Sequence, residues 1–104
     1  MKKIISATTL ILLLGISATI CMAENSSVEK GRQLFNDPTL AGSTNDRTCN
    51  TCHHNGDGLQ HSGNQSKLKR IINKCITGPL HGEKLKKGSM EMTSLVLYIK
   101  SLGE

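Results

Sequence analysis

Cys49-Asn50-Thr51-Cys52-His53 is the stretch on which the reading of this chain turns. A C-x-x-C-H run is the pattern by which a c-type haem is attached. The two thiols add across the vinyl groups of the porphyrin and form thioethers, and the two-residue spacer sets the sulfurs about one vinyl-to-vinyl span apart. The histidine that follows directly is placed beneath the iron and ligates it through a ring nitrogen. Three other readings compete. A redox dithiol does not need His53 and usually sits on a strand-helix-strand scaffold, of which the sequence gives no sign. A tetrahedral zinc site needs more ligands at regular spacing than Cys75 and the scattered histidines offer. A chance match to five letters is the third, and the rest of the chain weighs against it.

The N-terminus reads as a secretory leader. Lys2 and Lys3 supply a charged start, Ile4 to Ile20 is mostly apolar, and Cys21-Met22-Ala23 presents small residues where a signal peptidase inspects the chain. Cleavage after Ala23 is expected, giving a signal peptide over 1–23 and one domain over 24–104. Two alternatives stay open: an anchor retained in the membrane, since the apolar run is near the lower limit for a span, and a lipoprotein attached through Cys21, against which the bulky Ile20 argues. An exported, periplasmic protein with no stable membrane insertion after cleavage follows from the first reading.

A mature chain of about eighty residues is a single small domain. Phe35 and Tyr98 are its only aromatic residues, and tryptophan is absent. So small and aromatic-poor a core needs a staple, and a covalently held haem is one, because it brings a large flat apolar surface to the centre. Cysteine counting agrees. With Cys21 in the leader and Cys49 and Cys52 on haem, Cys75 is left alone, so no intramolecular disulfide framework can be drawn. The formal charge of the full chain is +5, and +3 without Lys2, Lys3 and the rest of the leader. That excess does not imply nucleic acid. Lys67, Lys69, Arg70, Lys84, Lys86 and Lys87 form either a basic rim that steers an acidic redox partner or ordinary solvated faces.

Periodicity predicts three short helices and no strand. Val28, Gly31, Leu34 and Phe35 fall at helical spacing after a Ser26 or Ser27 cap, with Asn36-Asp37-Pro38 as the stop. Thr39 to Thr48 reads as a loop into the motif, and Asn55-Gly56-Asp57-Gly58 forces tight turns after it. Leu68, Ile71, Ile72 and Cys75 give an amphipathic helix ended by Thr77-Gly78-Pro79. The last helix runs from about Ser89 to Leu102 on a stripe of Met92, Leu95, Val96, Ile99 and Leu102. Long loops in a compact domain are explained when they wrap a ligand.

With these elements placed, the chain resembles the monohaem class I cytochromes c over essentially the whole mature domain. The resemblance is carried by Glu29-Lys30-Gly31-Arg32-Gln33-Leu34-Phe35, by Cys49-x-x-Cys52-His53, and by Leu95-Val96-Leu97-Tyr98-Ile99. It implies an all-α cytochrome c-like fold of three or four short helices and long loops around one covalent haem. It also implies that Gly31 and Phe35 on the first helix meet Leu95 and Tyr98 on the last, glycine permitting close approach. A narrower similarity, through Asn73-x-Cys75 and Ser89-Met90-Glu91-Met92, is to small cytochrome c domains of bacterial electron-transfer and sulfur-oxidation systems.

The face of the iron opposite His53 decides the chemistry. Met92 is the first choice for it, matching the S-x-E-M element and opening the apolar face of the last helix; a thioether raises the potential and suits electron transfer. Met92 as a gap-filling core residue is the competing reading. Met90 is the next candidate. His61 or His81 would give bis-histidine ligation, while His54 is too close to His53 to reach across. Asn73 would be a weak, displaceable ligand, and Cys75 a thiolate, although its place on an apolar stripe suits a buried small residue. The expectation is a periplasmic monomeric one-electron carrier holding haem c and its iron through Cys49, Cys52, His53 and Met92. It exchanges electrons with redox proteins and is not an enzyme, since no acid-base pair or nucleophile constellation stands out. The alternatives are a gas-binding haem sensor and a small haem subunit of a sulfur-compound oxidoreductase.

Overall fold

The computed structural model describes residues 25–104, and the leader read over 1–23 lies outside them. The described residues are all-helical, as the cytochrome c-like expectation requires: α1 (Val28–Phe35), α2 (Cys49–Cys52), α3 (Leu68–Thr77) and α4 (Met90–Ser101). Among them no helix is long and apolar enough to cross a membrane.

Two of the three predicted helices, α1 and α4, start at a serine cap, while α3 begins at Lys67 without a side-chain cap. Ser27 caps α1, its hydroxyl accepting from the Lys30 N–H at 2.9 Å. Ser89 caps α4 in the same way through the Met92 N–H at 3.1 Å. Such a cap satisfies one of the donors left open at a helix start and contributes about 1 kcal/mol. The segments expected to be plain loops also carry short 3-10 turns, at Leu40–Gly42, His54–Gly56 and Ser62–Asn64. The first two contain a residue near φ +54°, Ala41 and Asn55, each followed by a glycine at positive φ. Only Asn55-Gly56 advertised this in sequence, because asparagine and glycine tolerate the left-handed region and alanine does not favour it.

The core is set by the crossing of α1 and α4. A Cβ on Gly31 would lie 2.0 Å from the Ser94 carbonyl oxygen, so only glycine lets these backbones touch. Phe35 and Tyr98 meet beside the crossing with ring centroids 5.1 Å apart and planes at 57°, a tilted packing that adds to simple burial. Ser94 is fully buried there, and its hydroxyl accepts from the Ser27 N–H at 3.1 Å. Around this seam Ile76, Met92 and Leu95 are sealed from solvent. The crossing predicted from Gly31/Phe35 and Leu95/Tyr98 is the one observed. It holds α4 against α1 and leaves one side of the domain to the motif.

Candidate haem site

The motif sits on α2, a single helical turn too short to persist by itself. A capping box holds it. The Thr48 hydroxyl accepts from the Thr51 N–H at 3.1 Å, and the Thr51 hydroxyl accepts from the Thr48 N–H at 2.9 Å. This fixed turn puts Cys49 and Cys52, three apart, on the same helix face. His53 follows as the C-cap at φ −119°, ψ 69°, its N–H closing the turn onto the Cys49 carbonyl at 3.0 Å. Past that point its ring lines the same cleft as the two thiols.

The ring is then oriented by its own downstream turn. His53 Nδ1 lies 3.1 Å from the Asp57 carbonyl oxygen. A carbonyl only accepts, so Nδ1 carries the proton and Nε2 keeps its lone pair for a metal. Asn55 (φ 54°), Gly56 (φ 84°) and Gly58 (φ 87°) bring that carbonyl back. Asn50, a spacer residue of the motif, secures the turn by accepting the Asn55 N–H at 2.7 Å. Sequence reasoning passed over Asn50 and Asp57. An amide spacer upstream of an Asn-Gly pair was the available signal for the first, while a backbone carbonyl leaves none.

Cys49, Cys52 and His53 line a cleft of about 390 Å³ whose other walls are mainly apolar, with Phe35, Leu68, Ile72 and Leu95 among them. On the α3 wall Ile71 also lines the cleft yet is 41 % exposed. An isoleucine left open opposite two thiols and an imidazole is a surface that a flat apolar group would cover. The residues therefore fit a c-type haem: two thioether positions, one imidazole with the correct tautomer, and apolar walls. Burial, followed by the neighbouring Cys75, pushes the Cys49 thiol up to about 11. Burial and then Cys52 also raise Cys75, so three sulfurs share this cleft.

The candidates for the opposite face are placed very differently. Cys75 lines the cleft. Met92 is fully enclosed in the core cluster, in the first turn of α4, and is not among the residues that line the cleft. Met90 is half-buried beside Ser94, whose hydroxyl lies 3.7 Å from its sulfur, and it too is off the cleft. Asn73 spends its side chain on Leu85, donating to the carbonyl at 3.0 Å and accepting from the N–H at 2.8 Å. His61 and His81 are exposed; His61 borders a polar hollow with Lys100 and Glu104, and neither lines the cleft. Helix period put Cys75 on an apolar face with Leu68, Ile71 and Ile72, whereas Ile76, off that stripe, is the fully buried residue. Which of the two faced the core and which the cleft depended on how α3 is rotated against α4.

An all-helical domain whose single-turn C-x-x-C-H opens onto an apolar cleft defines a c-type cytochrome domain. A family model described as di-haem cytochrome c peroxidase matches residues 25–98, and the chain belongs to that family. No curated protein and no solved structure matches the chain.

This membership corrects two expectations. The relationship is to di-haem peroxidases rather than specifically to the monohaem class I carriers, and the expectation that the chain is not an enzyme gives way to membership of an enzyme family. The physical reason is that C-x-x-C-H fixes a haem equally well in a carrier and in a peroxidase. What separates them is the ligation of the other face and the presence of a second haem, and neither is written in the motif. The covalent haem and its iron stand, whereas the count of one meets a family described by two.

Proposed function

We propose that this chain is the electron-transfer haem unit of a peroxide-reducing c-type enzyme, holding one haem itself and working with a second haem outside residues 25–104. The observation that carries the reading is the donor set of the cleft: Cys49, Cys52, His53 and Cys75 line it, and the sequence contains a single C-x-x-C-H. Cys49 and Cys52 would hold the porphyrin as thioethers. His53 Nε2 would face the iron, kept in place by the Nδ1–H bond to the Asp57 carbonyl. Cys75, on α3, is the remaining sulfur or nitrogen donor of the cleft and would take the other face. When bound, the haem supplies a one-electron Fe(III)/Fe(II) couple. Held by His53 and Cys75, the iron would be closed to peroxide by this chain's own side chains and would be left the electron-relay task. Export to the periplasm after loss of residues 1–23 completes the reading.

The test is spectroscopic. Matured with a haem-attachment system, the chain gives a pyridine haemochrome of the c type at one haem per chain. Cys75→Ser shifts the low-spin ferric EPR signal and opens the reduced protein to carbon monoxide, while Met92→Leu alters neither. Hydrogen peroxide added to the reduced chain alone oxidises it slowly. Absence of the c-type band overturns the reading, and fast stoichiometric oxidation moves the peroxide-reducing site into this chain.

A further inference from the structure

We infer that the outer face of α3, together with residues 82–88, is the docking surface for an acidic redox protein. The inference rests on the electron-transfer reading above. Lys67, Lys69, Arg70 and Lys74 lie along α3, and Lys84, Lys86 and Lys87 follow on the next segment, with Glu83 as the lone acid between residues 66 and 88. Elsewhere among the described residues the balance is reversed. Lys30, Arg32, Arg47 and Lys100 are outnumbered there by Glu29, Asp37, Asp46, Asp57, Glu91 and Glu104. The positive charge of the domain is thus concentrated on α3, its N-cap Lys67 and the segment bonded to it.

That face is built. Asn73 grips Leu85 by both its backbone groups, at 3.0 and 2.8 Å, much as a neighbouring strand would. Lys69 Nζ donates to the Lys87 carbonyl at 3.0 Å. Leu85 packs against the core while Lys84 and Lys86 on either side of it are exposed. Two side chains of a basic helix therefore hold a second basic segment against it, although like charges repel. None of the seven cations has an anionic partner among the described residues; the ion pair found there is Arg32 with Glu29, elsewhere. Natural surfaces interleave signs unless a field is wanted for steering.

The position gives the field its use. The same helix presents Leu68, Ile71, Ile72 and Cys75 to the cleft. A partner seated on its charged side is separated from the haem site by about one helix diameter, some 10–12 Å. The occupant is a protein with an acidic patch around its own redox centre. The face carries no aromatic side chain on which nucleic-acid bases would stack. Charge complementarity of this kind acts mainly on the rate of encounter and falls with salt.

The test uses the haem-loaded full chain and reduced flavodoxin, an acidic one-electron protein, as the probe. Each flavodoxin passes one electron to the ferric haem, followed by stopped flow, with a small neutral reductant as the control. The rate with flavodoxin is expected to fall about tenfold or more from low to high ionic strength. It is expected to fall by a similar factor in Lys67→Glu/Lys74→Glu, and much less in the equally charged Lys30→Glu/Lys100→Glu. The neutral reductant and the haem spectrum stay unchanged throughout. Equal loss from both double variants, or no dependence on salt, overturns the inference while the unchanged spectrum leaves the haem reading standing. Co-sedimentation of the wild-type chain with phosphatidylserine vesicles at physiological salt also overturns it, assigning the face to a membrane.

Discussion

The α1/α4 crossing and the α2–α3 cleft are built in different ways. At the crossing the packing is finished: Gly31 is in backbone contact, Phe35 meets Tyr98, and Met92, Ser94 and Leu95 are sealed. At the cleft the walls are mainly apolar side chains set around Cys49, Cys52, His53 and Cys75. Ile71 stands 41 % exposed, and Cys52 and Cys75 are open. The difference divides the labour of folding. One half is held by burial and close packing; the other is an apolar frame that a covalent haem would cover.

The sharpest way to break that division is at Gly31. Gly31→Ala places a methyl 2.0 Å from the Ser94 carbonyl oxygen, and backbone cannot swing aside as a side chain can. The expected loss is at least ~3 kcal/mol, above the usual range for overpacking, in haem-loaded and haem-free chains alike. Denaturant melts of both forms check it. A variant that destabilises only the haem-loaded form would mean that the crossing depends on the cofactor.

Met92 gives the next largest effect and speaks to ligation as well. Truncating a fully buried methionine to alanine costs about 2–5 kcal/mol, whereas the near-isosteric Met92→Leu costs less than about 1.5. Stability lost in the first and kept in the second, with the ferric spectrum unchanged in both, places Met92 with the dry half of the molecule. A ferric charge-transfer band of methionine ligation that vanishes in Met92→Leu would move it to the cleft.

These two residues also show what the sequence made legible. Gly31 could be read because its reason is local and paired: a glycine four before an aromatic on one helix, matched by Leu95 and Tyr98 on another. The fold class was legible because helical periodicity, like the spacing of C-x-x-C-H, carries its geometry locally. Met92 and Cys75 were not, because each lies on an apolar stripe and the stripe does not say whether it faces core or cofactor. That choice is set by helix rotation, a tertiary quantity. Membership of an enzyme family was invisible for a similar reason, since nothing local distinguishes a haem that relays electrons from one that meets peroxide.

The cleft should also betray itself by pH. In the folded, haem-free chain the Cys49 thiol is raised from about 9 to about 11, by burial first and then by Cys75. Below pH 9 the folded and unfolded chains both keep this proton, and the contribution to stability is constant. Between pH 9 and 11 the unfolded chain releases a proton that the folded chain retains. Stability therefore falls as pH rises through that window, by on the order of 2 kcal/mol. In the haem-loaded chain the Cys49 sulfur is a thioether with no proton to lose, so this loss is absent. Urea melts of the two forms across that range test the sign, and a loss of equal size in both would detach it from Cys49.

Thr48→Ala is expected to have the smallest effect and draws the finest line between the two halves. It removes the hydroxyl that accepts the Thr51 N–H at 3.1 Å, leaving the reciprocal bond from the Thr48 N–H to the Thr51 hydroxyl. Loss of such a cap costs about 1 kcal/mol. The cost should depend on the cofactor. In the haem-free chain the capping box is the main local restraint on a four-residue helix that cannot nucleate itself. Once two thioethers pin Cys49 and Cys52, the turn is held covalently and the cap becomes partly redundant. Thermal melts of wild type and Thr48→Ala should therefore differ more without haem than with it, and haem attachment to the variant should be slower at equal final yield. A larger loss in the haem-loaded form would mean that the threonines stabilise the haem-bound site rather than prepare the turn for haem attachment.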